Sequence, residues 1–140
     1  LNLMAMPPDL DAAFRKFIPP FGAAGNPVDI TGGEPPKTYQ NTVKLGLEDP
    51  RIHALILGYW HTIVTPPMVF ARVVLEVVEE MRAKGITKPI VASLAGDVEV
   101  EQASEHLYAN GIPAYPYTTE TPVTVLAAKY KWARGAGLIR

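Results

Sequence analysis

The sequence predicts an α/β protein, a parallel sheet with helices on its faces. Three observations carry that reading. Short apolar runs alternate strictly with longer segments of helical periodicity. The connections are short, and no hairpin signal separates two of the runs. One run, residues 52–59, is almost continuously apolar, as expected of a central parallel strand buried on both faces.

Residues 9–18 predict a short amphipathic helix. Asp9 caps it, Leu10, Phe14, Phe17 and Ile18 lie at helical spacing, and Pro19-Pro20 stops it. Residues 21–26 form a loop around Gly22 and Gly25. Any domain boundary falls here, with 1–25 as an approach segment and 26–140 as the domain proper. Residues 27–30 predict a first strand ending at Thr31-Gly32-Gly33, where glycine permits a tight turn. A helix over 35–49 follows, with Tyr39, Val43 and Leu47 on one face and prolines tolerated in its first turn. The second strand is 52–59. The helix over 66–84 has an i, i+4 stripe of Val69, Val73, Val77 and Met81, widened by Phe70, Val74 and Val78. Gly85 is placed as its C-terminal cap. The third strand spans 88–94. Ala95-Gly96-Asp97 then turns into a helix over 98–110, which Gly111 ends. In the fourth strand, 112–117, Pro113 and Pro116 cannot donate to a ladder, which puts it at an edge. The last helix, 121–136, offers Val125, Leu126, Ala128, Tyr130 and Trp132 for packing. Right-handed crossovers make the whole a doubly wound sandwich.

Composition narrows the function. The 140 residues suit one domain, and the formal net charge is −1. Lysine and arginine are scattered, so neither nucleic acid nor an anionic membrane surface is indicated. No apolar run approaches the ~20 residues of a membrane span. The absence of cysteine excludes disulfides, thiolate metal sites and a cysteine nucleophile. Residues 1–8 lack the pattern of a signal peptide, and a cytoplasmic location is expected. The chain does not begin with Met, which fits a fragment or one domain of a larger protein.

In open α/β sheets, ligands gather where strand carboxyl ends meet helix N-termini. Free backbone amides and a partial positive charge suit phosphate there. Residues 54–68 are such a junction: strand, loop and helix start. Gly58, Tyr59, Trp60, His61, Thr62 and Thr65 form the candidate corner, with Thr31, Gly32, Gly33 and Gly96 at neighbouring strand ends. Tyr59 and Trp60 either line a pocket or interface or cap the core. His61 has either a rim role or a catalytic one. No second histidine or acid at ligand spacing accompanies it, so no metal site is expected. His53 and His106 read as solvated. Dinucleotide and Walker-type glycine loops and the Gly-x-Ser-x-Gly elbow are missing. Thr31-Gly32-Gly33 is a poor flavin phosphate loop, and Asp29 and Asp97 alone do not make a phosphoreceiver site.

A resemblance sharpens this. Gly25-Asn26-Pro27-Val28-Asp29-Ile30 comes first, and Leu47-Glu48-Asp49-Pro50 precedes an apolar strand. Lys88-Pro89-Ile90-Val91-Ala92-Ser93 and Asn110-Gly111-Ile112-Pro113-Ala114-Tyr115 follow in turn. In this order, over residues 19–136, they resemble the succinyl-CoA-synthetase-like flavodoxin-type domain of NDP-forming acyl-CoA synthetases, and within it the acetate–CoA ligase (ADP-forming) group.

The resemblance implies a flavodoxin-like three-layer sandwich with a parallel sheet. It implies an enzyme that makes acyl-CoA from carboxylate, CoA and ATP through an acyl phosphate and a phosphohistidine. ATP, Mg and CoA then serve the whole enzyme, and none is bound by this domain alone. The partners are the CoA-binding, histidine-bearing and ATP-grasp domains or subunits. No catalytic residue lies in this chain, and the helix after the second strand points its N-terminus at the phosphohistidine. The succinyl-type corner carries a Gly-Gly pair, whereas here Gly58 stands alone, and Pro66 and Pro67 remove two amides. Contacts then fall to the backbone or hydroxyl groups of Thr62 and Thr65. No Ser-His-Thr-Gly-Ala loop is present, so His61 is not the phosphorylated histidine. The alternative is a non-catalytic regulatory or interaction module, as in protein acyltransferases fused to degenerate synthetase domains. A free-standing flavin or nucleotide binder is a third reading.

Overall fold

The computed structural model describes residues 1–139. Strands β1 (Leu55–Trp60), β2 (Ile90–Ala95) and β3 (Ala114–Pro116) form one parallel sheet in that spatial order. The helices are α1 (Pro8–Phe14), α2 (Pro36–Glu48), α3 (Pro67–Ala83), α4 (Val98–Ala109) and α5 (Glu120–Gly135). The register sets Gly58 beside Ser93 and Trp60 beside Ala95.

Local chemistry explains the boundaries. Pro67 opens α3, where its missing N–H costs nothing, and Asp97 caps α4 by accepting from the Glu99 N–H at 3.1 Å. Both helices end on a left-handed glycine, Gly85 at φ 76° and Gly111 at φ 85°. In each case the next amide, of Ile86 or Ile112, reaches back to the carbonyl of Met81 or Leu107.

Helices α2, α3 and α4 lie side by side on one face of the sheet. Leu55, Leu57 and Tyr59 of β1 and Ile90, Ala92 and Leu94 of β2 point at them. Helix α5 crosses the other face over β2 and β3. There the Ser93 hydroxyl donates to the Thr118 carbonyl. A smaller cluster of Leu10, Phe14, Ile18 and Ala24 seats the N-terminal segment against Val28, Ile30, Leu45 and Ile52.

Four expectations are corrected. Residues 27–30 do not join the sheet: Pro27 has no N–H, and both main-chain groups of Asp29 pair antiparallel with Ala23. The central strand is β2, and β1 lies at an edge with one face uncovered. Asp9 does not cap α1; Pro7 stands there, and Asp9 pairs instead with Arg51 at 2.8 Å. In α5 only Pro122 and Leu126 are buried, while Tyr130 and Trp132 are exposed.

Ion pairs of lysine and arginine gather at the amino ends of the strands. Lys44 and Lys84 share Glu80, Lys84 also meets Glu48, and Arg51 joins Asp49 to Asp9. The Arg51 hydrogen bonds hold the Asp49 carboxyl down at about 2, and those of Lys44 and Lys84 do the same for Glu80. Carboxylates depressed on folding stabilise the fold above their ordinary values and lose that contribution as pH falls. The urea midpoint is therefore expected to drop as pH falls from 4.5 to about 2. Asp49→Asn together with Glu80→Gln should flatten that dependence.

Candidate functional site

Beyond its last residue, β1 keeps its register through the His61 N–H, which donates to the Ala95 carbonyl at 2.8 Å. Parallel pairing thus sets the loop after β1 beside the loop after β2, and His61 meets Asp97. The imidazole Nδ1 lies 3.2 Å from Asp97 Oδ1, and Nε2 lies 3.8 Å from Glu99 Oε2. Gly96 makes this approach possible, because a Cβ there would stand 2.7 Å from His61 Cβ and 2.5 Å from Val100 Cγ2. The sequence alone paired His61 with no acid. The signal lay in topology, since residues ending adjacent parallel strands become neighbours.

The turn from His61 to Pro67 is held from within. The Tyr59 hydroxyl donates to the Thr65 carbonyl at 2.7 Å, and the Thr65 N–H donates to the Thr62 hydroxyl oxygen at 3.2 Å. Thr65 is wholly buried, and its own hydroxyl donates to the Glu34 carbonyl at 2.7 Å. A Cβ at Gly32 would stand 3.6 Å from the Thr62 methyl, an ordinary contact, so the loop after residue 30 lies beside the same corner. Within that loop Thr31 adopts φ 64°, and its N–H donates to the Asp29 carboxylate at 2.8 Å. Thr65→Val keeps the shape but orphans the Glu34 carbonyl; a loss of about 1–3 kcal/mol is expected, read from urea unfolding.

Tyr59 is core: its ring stacks on Phe70 at 4.4 Å and tilts against Tyr39 at 6.2 Å. Burial pushes its phenol up, so it remains a hydrogen-bond donor. Trp60 points the other way and is exposed. Gly58 lies inside β1 on that same uncovered side, with open space above it, and Gly33 is also open. The structure therefore gathers Gly32, His61, Thr62, Thr65 and Gly96 at one corner, while Gly58 and Trp60 belong to another surface.

Charge at this end is one-sided. Among the described residues Glu34, Asp97, Glu99 and Glu101 pair with no lysine or arginine. Three of these acids complement the start of α4. Helix α3 differs, with no side-chain cap and no acid in its first turn. Pro67 lacks an amide, and Phe70 N–H is the first to donate within the helix, to Pro66. Met68 and Val69 thus carry the amides left without an intrahelical acceptor. A groove of about 370 Å³ lined by Leu47, Met81, Arg82 and Pro89 lies at the opposite end of the strands. No helix of the described residues is long and apolar enough to cross a membrane.

Fold and corner together define a parallel α/β domain with helix N-termini gathered at one sheet end. The chain belongs to the Ligase-CoA domain family, which matches residues 1–140. It is 36% identical over 121 residues to the acetate–CoA ligase [ADP-forming] I subunit alpha of Pyrococcus furiosus, covering 86% of this chain and 25% of that subunit. It is 31% identical over 119 residues to the acetate–CoA ligase [ADP-forming] of Methanocaldococcus jannaschii, covering 85% of this chain and 17% of that protein. Among solved structures it is similar to the dinucleotide forming acetyl-coenzyme A synthetase 1 of Ca. Korarchaeum cryptofilum in complex with phosphate and ADP. There the TM-score is 0.83 at 32% identity, over 94% of this chain and 28% of that one. The chain thus spans about a quarter of the length of the first of these relatives.

Proposed function

We propose that this chain works as one domain of an acid–CoA ligase that forms ADP, docking its α3 corner on a histidine-bearing domain and helping to stabilise a phosphohistidine there. The observation that carries the reading is the start of α3, uncapped and free of acid, while Asp97, Glu99 and Glu101 occupy the start of α4. The helix dipole and the amides of Met68 and Val69 favour a phosphoryl group. Thr62 and His61 flank it, and Gly96 lets the loop after β2 close in on His61. Thr65 holds the turn from beneath.

The acids set a limit. Asp97 and Glu99 repel a free phosphate, so the corner suits an anion delivered on a docked protein loop rather than one taken from solution. Chemistry stays elsewhere in the enzyme: carboxylate, CoA and ATP give acyl-CoA, ADP and phosphate. Among the described residues no group of three or more His, Asp or Glu side chains could hold a metal ion. Nucleotide, Mg and CoA are assigned to the other domains or subunits, as the resemblance to NDP-forming acyl-CoA synthetases implies.

A coupled assay of the assembled enzyme tests this, following acyl-CoA formation from CoA, ATP and a panel of carboxylates. Turnover is expected only with all domains present and none from this chain alone. Absence of turnover with every acid in a folded assembly would reject the ligase reading.

A further inference from the structure

We propose that the groove at the amino ends of the strands, walled by the last turn of α3, the start of β2 and the turn between α4 and β3, binds a small organic phosphate. The inference stands apart from the ligase reading and from the α3 corner, which lies at the other end of the sheet.

The groove draws its cations from three separate parts of the chain. Arg82 belongs to the last turn of α3, Lys88 precedes β2, and Lys129 is on α5. The fold brings them to the lining of one cavity of about 370 Å³, large enough for a small ligand. The Arg82 guanidinium reaches the turn at Gly111, where Nη2 would stand 3.9 Å from an added Cβ. No aspartate or glutamate is among the lining residues. The neighbouring cations at this end are already satisfied, Lys44 and Lys84 by Glu80, and Arg51 by Asp49 and Asp9. Among the described residues neither Arg82 nor Lys129 meets a carboxylate.

Lys88 is the most enclosed of the three. Its ammonium is half-buried and donates to the Asp49 carbonyl. An ammonium carries three N–H donors, so two remain for a ligand. Burial pushes this lysine below its ordinary range, and the Asp49 carboxylate, itself held by Arg51, offsets that only in part. A bound anion would favour the charged form again. Thr87 adds a hydroxyl to the lining. The main-chain N–H groups of Thr87 and Lys88 donate to no main-chain acceptor among the described residues.

The lining also selects the ligand. Three cations with no acid among them favour a dianion over a monoanion, because the attraction scales with charge. A phosphate monoester carries about −1.5 to −2 at neutral pH, and arginine can take two of its oxygens at once. Beneath the cations Met81, Ile90 and Ile112 form an apolar floor. Inorganic phosphate would gain nothing from that floor, so an ester with a small apolar body fits the whole groove.

Phenyl phosphate is the probe, titrated into the 140-residue chain at neutral pH and followed by amide chemical shifts. Saturable binding is expected with a Kd of about 1 mM or tighter. The shifts should centre on Thr87, Lys88 and Gly111 and leave Met68 and Val69 unmoved. Benzoate, with the same ring and one charge, should bind about tenfold more weakly. Arg82→Gln with Lys129→Gln should also weaken phenyl phosphate about tenfold at an unchanged melting temperature, since both side chains are exposed. The absence of a saturable shift would overturn the proposal, as would shifts centred on the start of α3. A folded double variant that binds like the parent would overturn it too. Inorganic phosphate binding as tightly as phenyl phosphate would overturn the choice of an organic ligand.

Discussion

Phe70→Ala is expected to destabilise the fold by about 3–5 kcal/mol, the usual cost of emptying a buried aromatic site. Phe70 is 2% exposed, stacked on Tyr59 and set edge-on to Tyr39 at 5.4 Å. Tyr59 in turn holds the Thr65 carbonyl, so the cavity would open directly beneath the corner turn. Thermal melting should fall by more than ~10 °C for a domain of this size. Phe70→Leu should recover much of the loss, because it restores most of the volume. A melting temperature unchanged in the alanine variant would mean that the aromatic cluster does not support the corner.

Gly96→Ala is the second large expected effect. The added methyl would lie 2.5 Å from Val100 Cγ2 and 2.7 Å from His61 Cβ, and Val100 is wholly buried. Neither neighbour can swing away freely, so the start of α4 must separate from the loop after β1. Overpacking of this kind costs about 1–3 kcal/mol. The contact between His61 and Asp97 should open with it, visible as a shift of the His61 ring signals in NMR. The control Gly33→Ala, at a position with open space, should change neither stability nor those signals.

The fold was legible where local chemistry decides it. The valine stripe of α3, the glycine ends at Gly85 and Gly111, and the proline starts place α2 to α5 and the three strands to within a few residues. Relations between distant segments were not legible. An apolar run such as 52–59 reads as buried on both faces, yet apolar character cannot tell a covered face from one awaiting a partner. Tyr130 and Trp132 fit a packing stripe, but α5 lies over β2 and β3 with only Pro122 and Leu126 buried, and both rings are left exposed. Residues 27–30 have strand-like side chains, while Pro27 and the Asp29 pairing with Ala23 set the backbone on another course. At the corner, Thr62, Thr65 and His61 were named from chain position alone. That Thr65 turns inward to Glu34, and that His61 meets Asp97, follows from the register between β1 and β2.

The measurement closest to the central claim compares Val69→Glu with Val69→Gln in the assembled enzyme. Val69 is partly exposed in the first turn of α3, where an added carboxylate favours the helix by a few tenths to 1 kcal/mol. The same carboxylate would occupy the positive end proposed for the phosphoryl group. The account predicts that Val69→Glu keeps or raises the melting temperature. Trapped acid-labile phosphohistidine and acyl-CoA turnover should fall about tenfold relative to Val69→Gln, or ~1.4 kcal/mol. Equal phosphoenzyme and turnover in the two variants, both folded, would contradict it.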